Sequence, residues 1–213
     1  MDRLPRGRHG LAPDFVARNQ RARLIAGLIE ALHETGYKKT TVSQIGRRAE
    51  VSKSDFYKHF ESKDDCFHVA YEEGVARIRD EIKVACADSD SGWPQRVHGA
   101  LQALFELFAQ EPALANLTLV EGLRAGRGVY DRYQAALDGF APWLREGAPP
   151  PPGGNAAPAE VDLAVVGGVA SLLGKRVRAG KTKQLGALLP ETLEFTLTPY
   201  LGAAEARRIV SAG

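Results

Sequence analysis

Three helix starts crowd into residues 40–63 and leave that stretch few ways to fold. Thr41 stands three residues before Gln44, Ser52 before Asp55, and Ser62 before Asp65. Each pair sets a hydroxyl against an amide or carboxylate at capping-box spacing. The first two starts are so close that the helices they open are short and joined by a tight turn. Beneath them lies an apolar floor of Val42, Ile45, Ala49, Val51, Phe56 and Phe60. Two short helices, a tight turn and a basic second helix read as a helix-turn-helix, a motif that sets a helix in the DNA major groove.

The charge distribution agrees. The formal net charge is +2, but residues 1–63 hold 13 Lys+Arg against 7 Asp+Glu, and residues 64–213 hold 15 against 19. A basic front third on an acidic remainder suits a DNA-facing module joined to a part that faces something else.

The rest of the chain reads as helices. One is expected from Asp14, its N-cap, through the stripe Leu24, Ile25, Leu28, Ile29 and Leu32, with Gly36 closing it. A long amphipathic helix follows Ser62 to about residue 86. Others are expected over about 95–109, 112–123, 129–146, 159–179, 188–200 and 203–211. Gly126 and Gly128 mark a break before the 129–146 helix. No strand alternation is convincing, so the chain is expected to be all-α, with about nine helices. Residues 1–13 read as a flexible arm, 88–92 as a loop, and 147–158, rich in Pro and Gly, as a loop that cannot be helical.

Residues 161–173 are apolar nearly all round, with Ala164, Gly167, Gly168, Ala170 and Ser171 among the larger side chains. A helix apolar on every side needs cover on every side, and a second copy of the chain is the natural cover.

The stretch 40–63, extended to the preceding helix, resembles the DNA-binding domain of the tetracycline-repressor (TetR) family. The resemblance rests on Gly36-Tyr37, Thr40-Thr41-Val42, Ile45, Ala49, Val51-Ser52-Lys53, Phe56-Tyr57, Phe60 and Ser62-Lys63, with a weaker likeness in the ending Pro199–Gly202. It implies a DNA-binding domain over 1–62 and an effector-binding and dimerisation domain over 63–213. It also implies a dimeric one-component repressor that binds a palindromic operator and is released by a small molecule. The alternative is a DNA-binding dimer whose C-terminal domain binds a protein or is architectural.

On this resemblance Ser52, Lys53, Ser54, Asp55 and Lys58 face the groove, and Tyr57 and His59 contact phosphate. Thr41 and Lys63, at helix N-termini, are further phosphate candidates. Three positions depart from the pattern: Glu50 stands where Gly is frequent, Ser54 where Gly or another small residue is frequent, and Asp55 where Thr is usual. Asp55 is either the capping partner of Ser52 or an acceptor for a cytosine amino group. Arg3, Arg6 and Arg8 of the arm either follow the minor groove or make no contact.

The middle helices would enclose the effector, with Phe67, Tyr71, Phe105, Phe108, Tyr133 and Trp143 as candidate lining and Glu121 and Arg124 as polar anchors. Val161, Val165, Gly168, Leu172, Leu193 and Leu197 are the candidate dimer interface.

Other classes are disfavoured. No Gly-x-Gly-x-x-Gly, P-loop or Gly-x-Ser-x-Gly occurs, so an enzyme is not expected and neither is a cofactor. Cys66 and Cys86 on one helix would stand about 30 Å apart, beyond any disulfide. The histidines at 9, 33, 59, 68 and 98 lack ligand spacing, so no metal is expected. No apolar run reaches the ~18 residues of a membrane span, and the polar N-terminus is unlike a secretory signal, so a cytoplasmic location is expected.

Overall fold

The computed structural model describes residues 13–86, 92–125, 127–150 and 159–212. Most of the arm, most of the 88–92 loop, Gly126 and most of the Pro/Gly loop lie outside them. Among the described residues every regular element is helical: ten α-helices, in line with the about nine expected, and two 3₁₀ segments. The chain divides into two compact units, Met1–Glu73 and Gly74–Gly213.

In the first unit, α1 (Pro13–Thr35) buries Leu24, Leu28, Ala31 and Leu32 on one face. Asp14 sits in its first turn rather than capping it. Gly36, at φ 73°, ends α1 and donates its N–H to the Leu32 carbonyl at 2.9 Å. Glycine adopts this left-handed geometry without steric cost. The next helices, α2 (Val42–Ala49) and α3 (Lys53–His59), present Ile45, Ala49 and Phe56 to the same core. Each Leu or Phe buried here contributes about 1.5–3 kcal/mol relative to exposure.

The opening turns of α4 (Lys63–Ala85) complete this core with Cys66, Phe67, Ala70 and Tyr71. The Phe67 ring meets Tyr37 edge-on at 5.2 Å and stacks on Tyr71 at 6.3 Å. Burial pushes the Cys66 thiol up to about 12, so it stays protonated and unreactive. The division between units therefore falls inside α4, eleven residues beyond the 62/63 boundary expected from the sequence.

The second unit holds α5 (Trp93–Gln110), α6 (Pro112–Leu119), α7 (Arg127–Arg145), α8 (Ala159–Arg178), α9 (Leu189–Leu201) and α10 (Ala203–Ala212). Val97, Ala100, Leu101, Phe105 and Phe108 of α5 form its central face. The helix expected over 112–123 breaks at Val120, and a 3₁₀ turn, Glu121–Leu123, follows. Gly128 is not a break but lies in the first turn of α7. A 3₁₀ segment, Thr182–Leu188, precedes α9 and was not legible from helical periodicity. Its buried residues, Thr182, Leu185 and Leu188, recur every three positions, the period of that tighter helix.

A polar knot joins four helices of this unit. Asp162 of α8 is buried, accepts the Tyr200 hydroxyl at 2.5 Å, and is ion-paired with Arg145 of α7. The Tyr200 ring packs on Trp93 at 4.9 Å, and the Trp93 indole N–H donates to the Leu144 carbonyl at 2.8 Å. Asp162 lies inside the segment read as apolar nearly all round, where a lone acid was the available signal.

Candidate nucleic-acid interface

The helix-turn-helix is built by its caps. Thr41 makes the full reciprocal box: its Oγ accepts from the Gln44 N–H, and the Gln44 Oε1 accepts the Thr41 N–H at 2.8 Å. The other two boxes are half made. Ser52 accepts the Asp55 N–H at 3.0 Å, but the Asp55 carboxylate takes the Ser52 hydroxyl rather than its N–H. Ser62 accepts the Asp65 N–H, while the Asp65 carboxylate accepts from the Glu61 N–H.

The turn between α2 and α3 is sharp. Glu50 sits at φ 52°, ψ 41°, the one positive-φ residue other than glycine among the described residues. Val51 then donates to the Gly46 carbonyl at 2.9 Å. A Cβ on Gly46 would stand 2.6 Å from the Val51 carbonyl oxygen, so only glycine admits this approach. Arg23 of α1 donates to the Ala49 carbonyl and lies 3.8 Å from the Glu50 carboxylate, closing the C-terminal end of α2. Neither Gly46 nor Arg23 was singled out from the sequence.

The left-handed conformation costs an L-residue about 1–2 kcal/mol, part of which a glycine returns through its freer unfolded chain. Glu50→Gly is therefore expected to stabilise the first unit by about 0.5–1 kcal/mol. The Arg23 pair lost with it is half-exposed and contributes little. A thermal midpoint that stays put or falls would count against strain in this turn.

The α3 helix buries Phe56 and leaves Lys53, Ser54, Tyr57 and Lys58 exposed, with Ser52 exposed at its cap. Tyr57 is 50% exposed, which removes it from the core. His59 is half-buried, its Nε2 3.1 Å from the Gln20 Oε1, so α1 orients the ring. Asp55 joins Ser52 and Lys58: its Oδ2 accepts the Ser52 hydroxyl at 2.8 Å and its Oδ1 the Lys58 ammonium at 2.7 Å. The hydrogen bonds from Lys58 and then Ser52 hold the Asp55 carboxyl below the usual carboxylate range.

Lys63 departs from expectation. Its ammonium is turned inward, donating to the Tyr37 carbonyl at 2.9 Å and the Thr40 carbonyl at 3.1 Å, with the Tyr37 ring centroid 3.9 Å away. A charge already held by two carbonyls and an aromatic face has no need of a phosphate. Lys63→Ala is expected to cost the first unit about 1–3 kcal/mol and to leave the salt dependence of DNA binding unchanged. Urea unfolding and the slope of log affinity against log salt check this together. A slope reduced by about one unit without loss of stability would return Lys63 to the phosphate backbone.

The candidate effector lining is divided between the two units. Phe67 and Tyr71 are core residues of the first unit. Phe105, Phe108 and Tyr133 are buried in the second, and Trp143 is half-buried. Glu121 is buried and lies 3.7 Å from Arg124, whose side chain is 59% exposed. Two clefts in the second unit are lined by other residues. One, of about 510 Å³, runs along Pro94, His98, Leu189, Leu193 and Ile209. The other, of about 370 Å³, is formed by Glu191, Glu194, Phe195, Thr198 and Pro199 of α9.

The candidate dimer residues also divide. Val165, Leu193 and Leu197 are buried within the single chain, where they serve its own core. Val161, Gly168 and Leu172 are half-buried. The face left open runs along Ala164, Gly167, Gly168, Ser171 and Lys175 of α8, beside Phe195 of α9, which is 47% exposed. The Phe195 ring lies over Gly168, where a Cβ would meet it at 2.8 Å.

Caps, turn and exposed helix define a helix-turn-helix protein with a second, wholly helical unit among the described residues. Within the first unit, residues 24–70 match the model of the bacterial regulatory proteins of the tetR family. No curated protein matches the chain. Solved structures are similar in fold over most of the chain. The fatty acid degradation regulator FadR from Bacillus halodurans is similar at a TM-score of 0.72 and 18% identity, over 89% of this chain and 97% of that one. FadR from Bacillus subtilis, solved in complex with stearoyl-CoA, gives 0.68 and 18%, over 84% and 98%. A TetR-like transcriptional regulator from Rhodococcus sp. RHA1 gives 0.67 and 13%, over 84% and 94%. Among the described residues no helix is long and apolar enough to cross a membrane, and no cluster of potential metal ligands occurs.

Proposed function

We propose that the chain is a dimeric, one-component transcriptional repressor that binds a palindromic operator and is released by a small molecule. The observation that carries this reading is the exposed face of α3, which holds Lys53, Ser54, Tyr57 and Lys58 clear of the core while Phe56 anchors the helix. Lys53 is suited to guanine O6 or N7, and Tyr57 to phosphate.

One such module makes a small interface, and two related by a two-fold axis read half-sites about 34–36 Å apart. The open α8–α9 face supports pairing with a second copy. Its small residues permit close helix approach, and its exposed Phe195 is an apolar side chain in need of cover. Phe195→Glu is the substitution of choice for separating the copies, read by sedimentation.

The effector reading draws on the likeness to regulators that include a stearoyl-CoA complex, so a long-chain acyl-CoA is the first probe. The test is a mobility-shift titration with the DNA upstream of the protein's own gene, with and without stearoyl-CoA. A folded dimer that retards no DNA at low salt refutes the reading. Retardation that stearoyl-CoA and a panel of other small molecules leave intact refutes release. The second reading, a DNA-binding dimer whose C-terminal unit is architectural or binds a protein, is favoured by the full burial of Phe105 and Phe108 in that unit's core.

A further inference from the structure

We infer that Asp55 and Lys58 act as one reading unit that selects a C·G base pair in each half-site; this rests on the DNA-binding reading above. A carboxylate on a recognition helix is at first sight a defect, since it repels phosphate. The geometry removes most of that objection. Asp55 Oδ1 accepts the Lys58 ammonium at 2.7 Å, so the charge is offset locally. Each carboxylate oxygen accepts one intramolecular hydrogen bond, from Ser52 or Lys58, and keeps a further lone pair. The Lys58 ammonium keeps two further N–H donors, and its side chain is 71% exposed. An acceptor and a donor thus stand side by side on the open face of α3, fixed by the Ser52 cap.

The major-groove edge of a C·G pair offers the complementary set: the cytosine N4 amino group donates, and guanine O6 and N7 accept. The other pairs fit less well. Adenine also offers an amino donor, but its N7 lone pair lies beside that donor and faces the carboxylate. Thymine matches guanine O6 with its O4 but sets a methyl group in place of guanine N7, so the ammonium meets one acceptor instead of two. The low-lying carboxyl titration keeps the acceptor ionised at neutral pH.

The test is selection from a pool of randomised DNA duplexes by the full-length protein and three variants. The backbone N–H of residue 55, not its side chain, donates to Ser52, so Asp55→Ala and Asp55→Asn retain the helix cap. Circular dichroism checks that both are folded. Wild type is expected to prefer C·G at one position per half-site by roughly ten- to a hundredfold. Asp55→Ala should abolish the preference there and leave the other positions unchanged. Asp55→Asn should move it to A·T, because an amide pairs with adenine N6 and N7. Lys58→Ala should relax the guanine side of the same position. If folded Asp55→Ala and Asp55→Asn select the same sequences as wild type, Asp55 is a capping partner alone and the inference fails. If wild type enriches no sequence, the DNA-binding reading fails, and this one with it.

Discussion

Replacing Asp162 with Ala is expected to destabilise the second unit by roughly 3 kcal/mol, since a hydrogen bond to a charged group contributes about 1.5–3 kcal/mol and a buried hydroxyl left without an acceptor costs about 1–3. The thermal midpoint should fall by on the order of 10 °C. The loss falls mainly on Tyr200, which is 2% exposed and has Asp162 as its acceptor. Arg145, with a side chain 37% exposed, can turn to water when its partner goes. Tyr200→Phe should therefore cost less than Asp162→Ala, because it deletes the stranded donor along with the bond. Equal midpoints for wild type and Asp162→Ala would show that the knot does not hold these helices.

The same knot gives the alkaline side of the stability profile a sign. Burial first, and then the hydrogen bond to Asp162, raise the Tyr200 phenol well above its ordinary range. The fold selects the neutral phenol. Its contribution is fully present below the ordinary tyrosine value and is lost as pH rises through the raised one.

Gly46→Ala is expected to have the second large effect, on the turn rather than on the second unit. Two contributions oppose each other. Alanine in a helix interior gains up to about 1 kcal/mol over glycine. Against this, the new methyl would lie 2.6 Å from a backbone oxygen, which cannot swing aside as a side chain does. Overpacking of this kind costs about 1–3 kcal/mol, and more where the backbone must move. The clash wins, and relief requires opening the Val51-to-Gly46 hydrogen bond that fixes where α3 begins. Binding to a selected operator should fall at least tenfold, with the second unit's unfolding unchanged. Undiminished binding by a folded Gly46→Ala protein would show that the turn relaxes without moving α3.

What the sequence made legible follows from how local each signal is. The starts of α2 and α3, the end of α1 at Gly36 and the core positions Ile45, Phe56 and Phe60 depend on neighbours within a few residues, and all were readable. Lys63 was placed at a helix start correctly, but the direction of its ammonium depends on carbonyls 23 and 26 residues away. Val165, Leu193 and Leu197 were correctly apolar, yet periodicity cannot say whether a helix of the same chain or of another covers them. The 3₁₀ segment before α9 was not legible because its buried residues recur every three positions, off the period of an α-helix. Asp162 escaped because one acid in an apolar run reads as an interruption until its partners on α7 and α9 are known.

The division of the chain within α4 has a practical corollary for anyone who wants the DNA-reading part alone. There is no connecting loop to cut at that point. A fragment ending at residue 62 would discard Cys66, Phe67, Ala70 and Tyr71, and with them the partners of Tyr37. A piece that keeps these core residues ends no earlier than Tyr71, in mid-helix. Exchange of recognition modules between relatives must then be spliced within a turn of continuous helix, in register, since one residue added or removed there rotates everything downstream by about 100°.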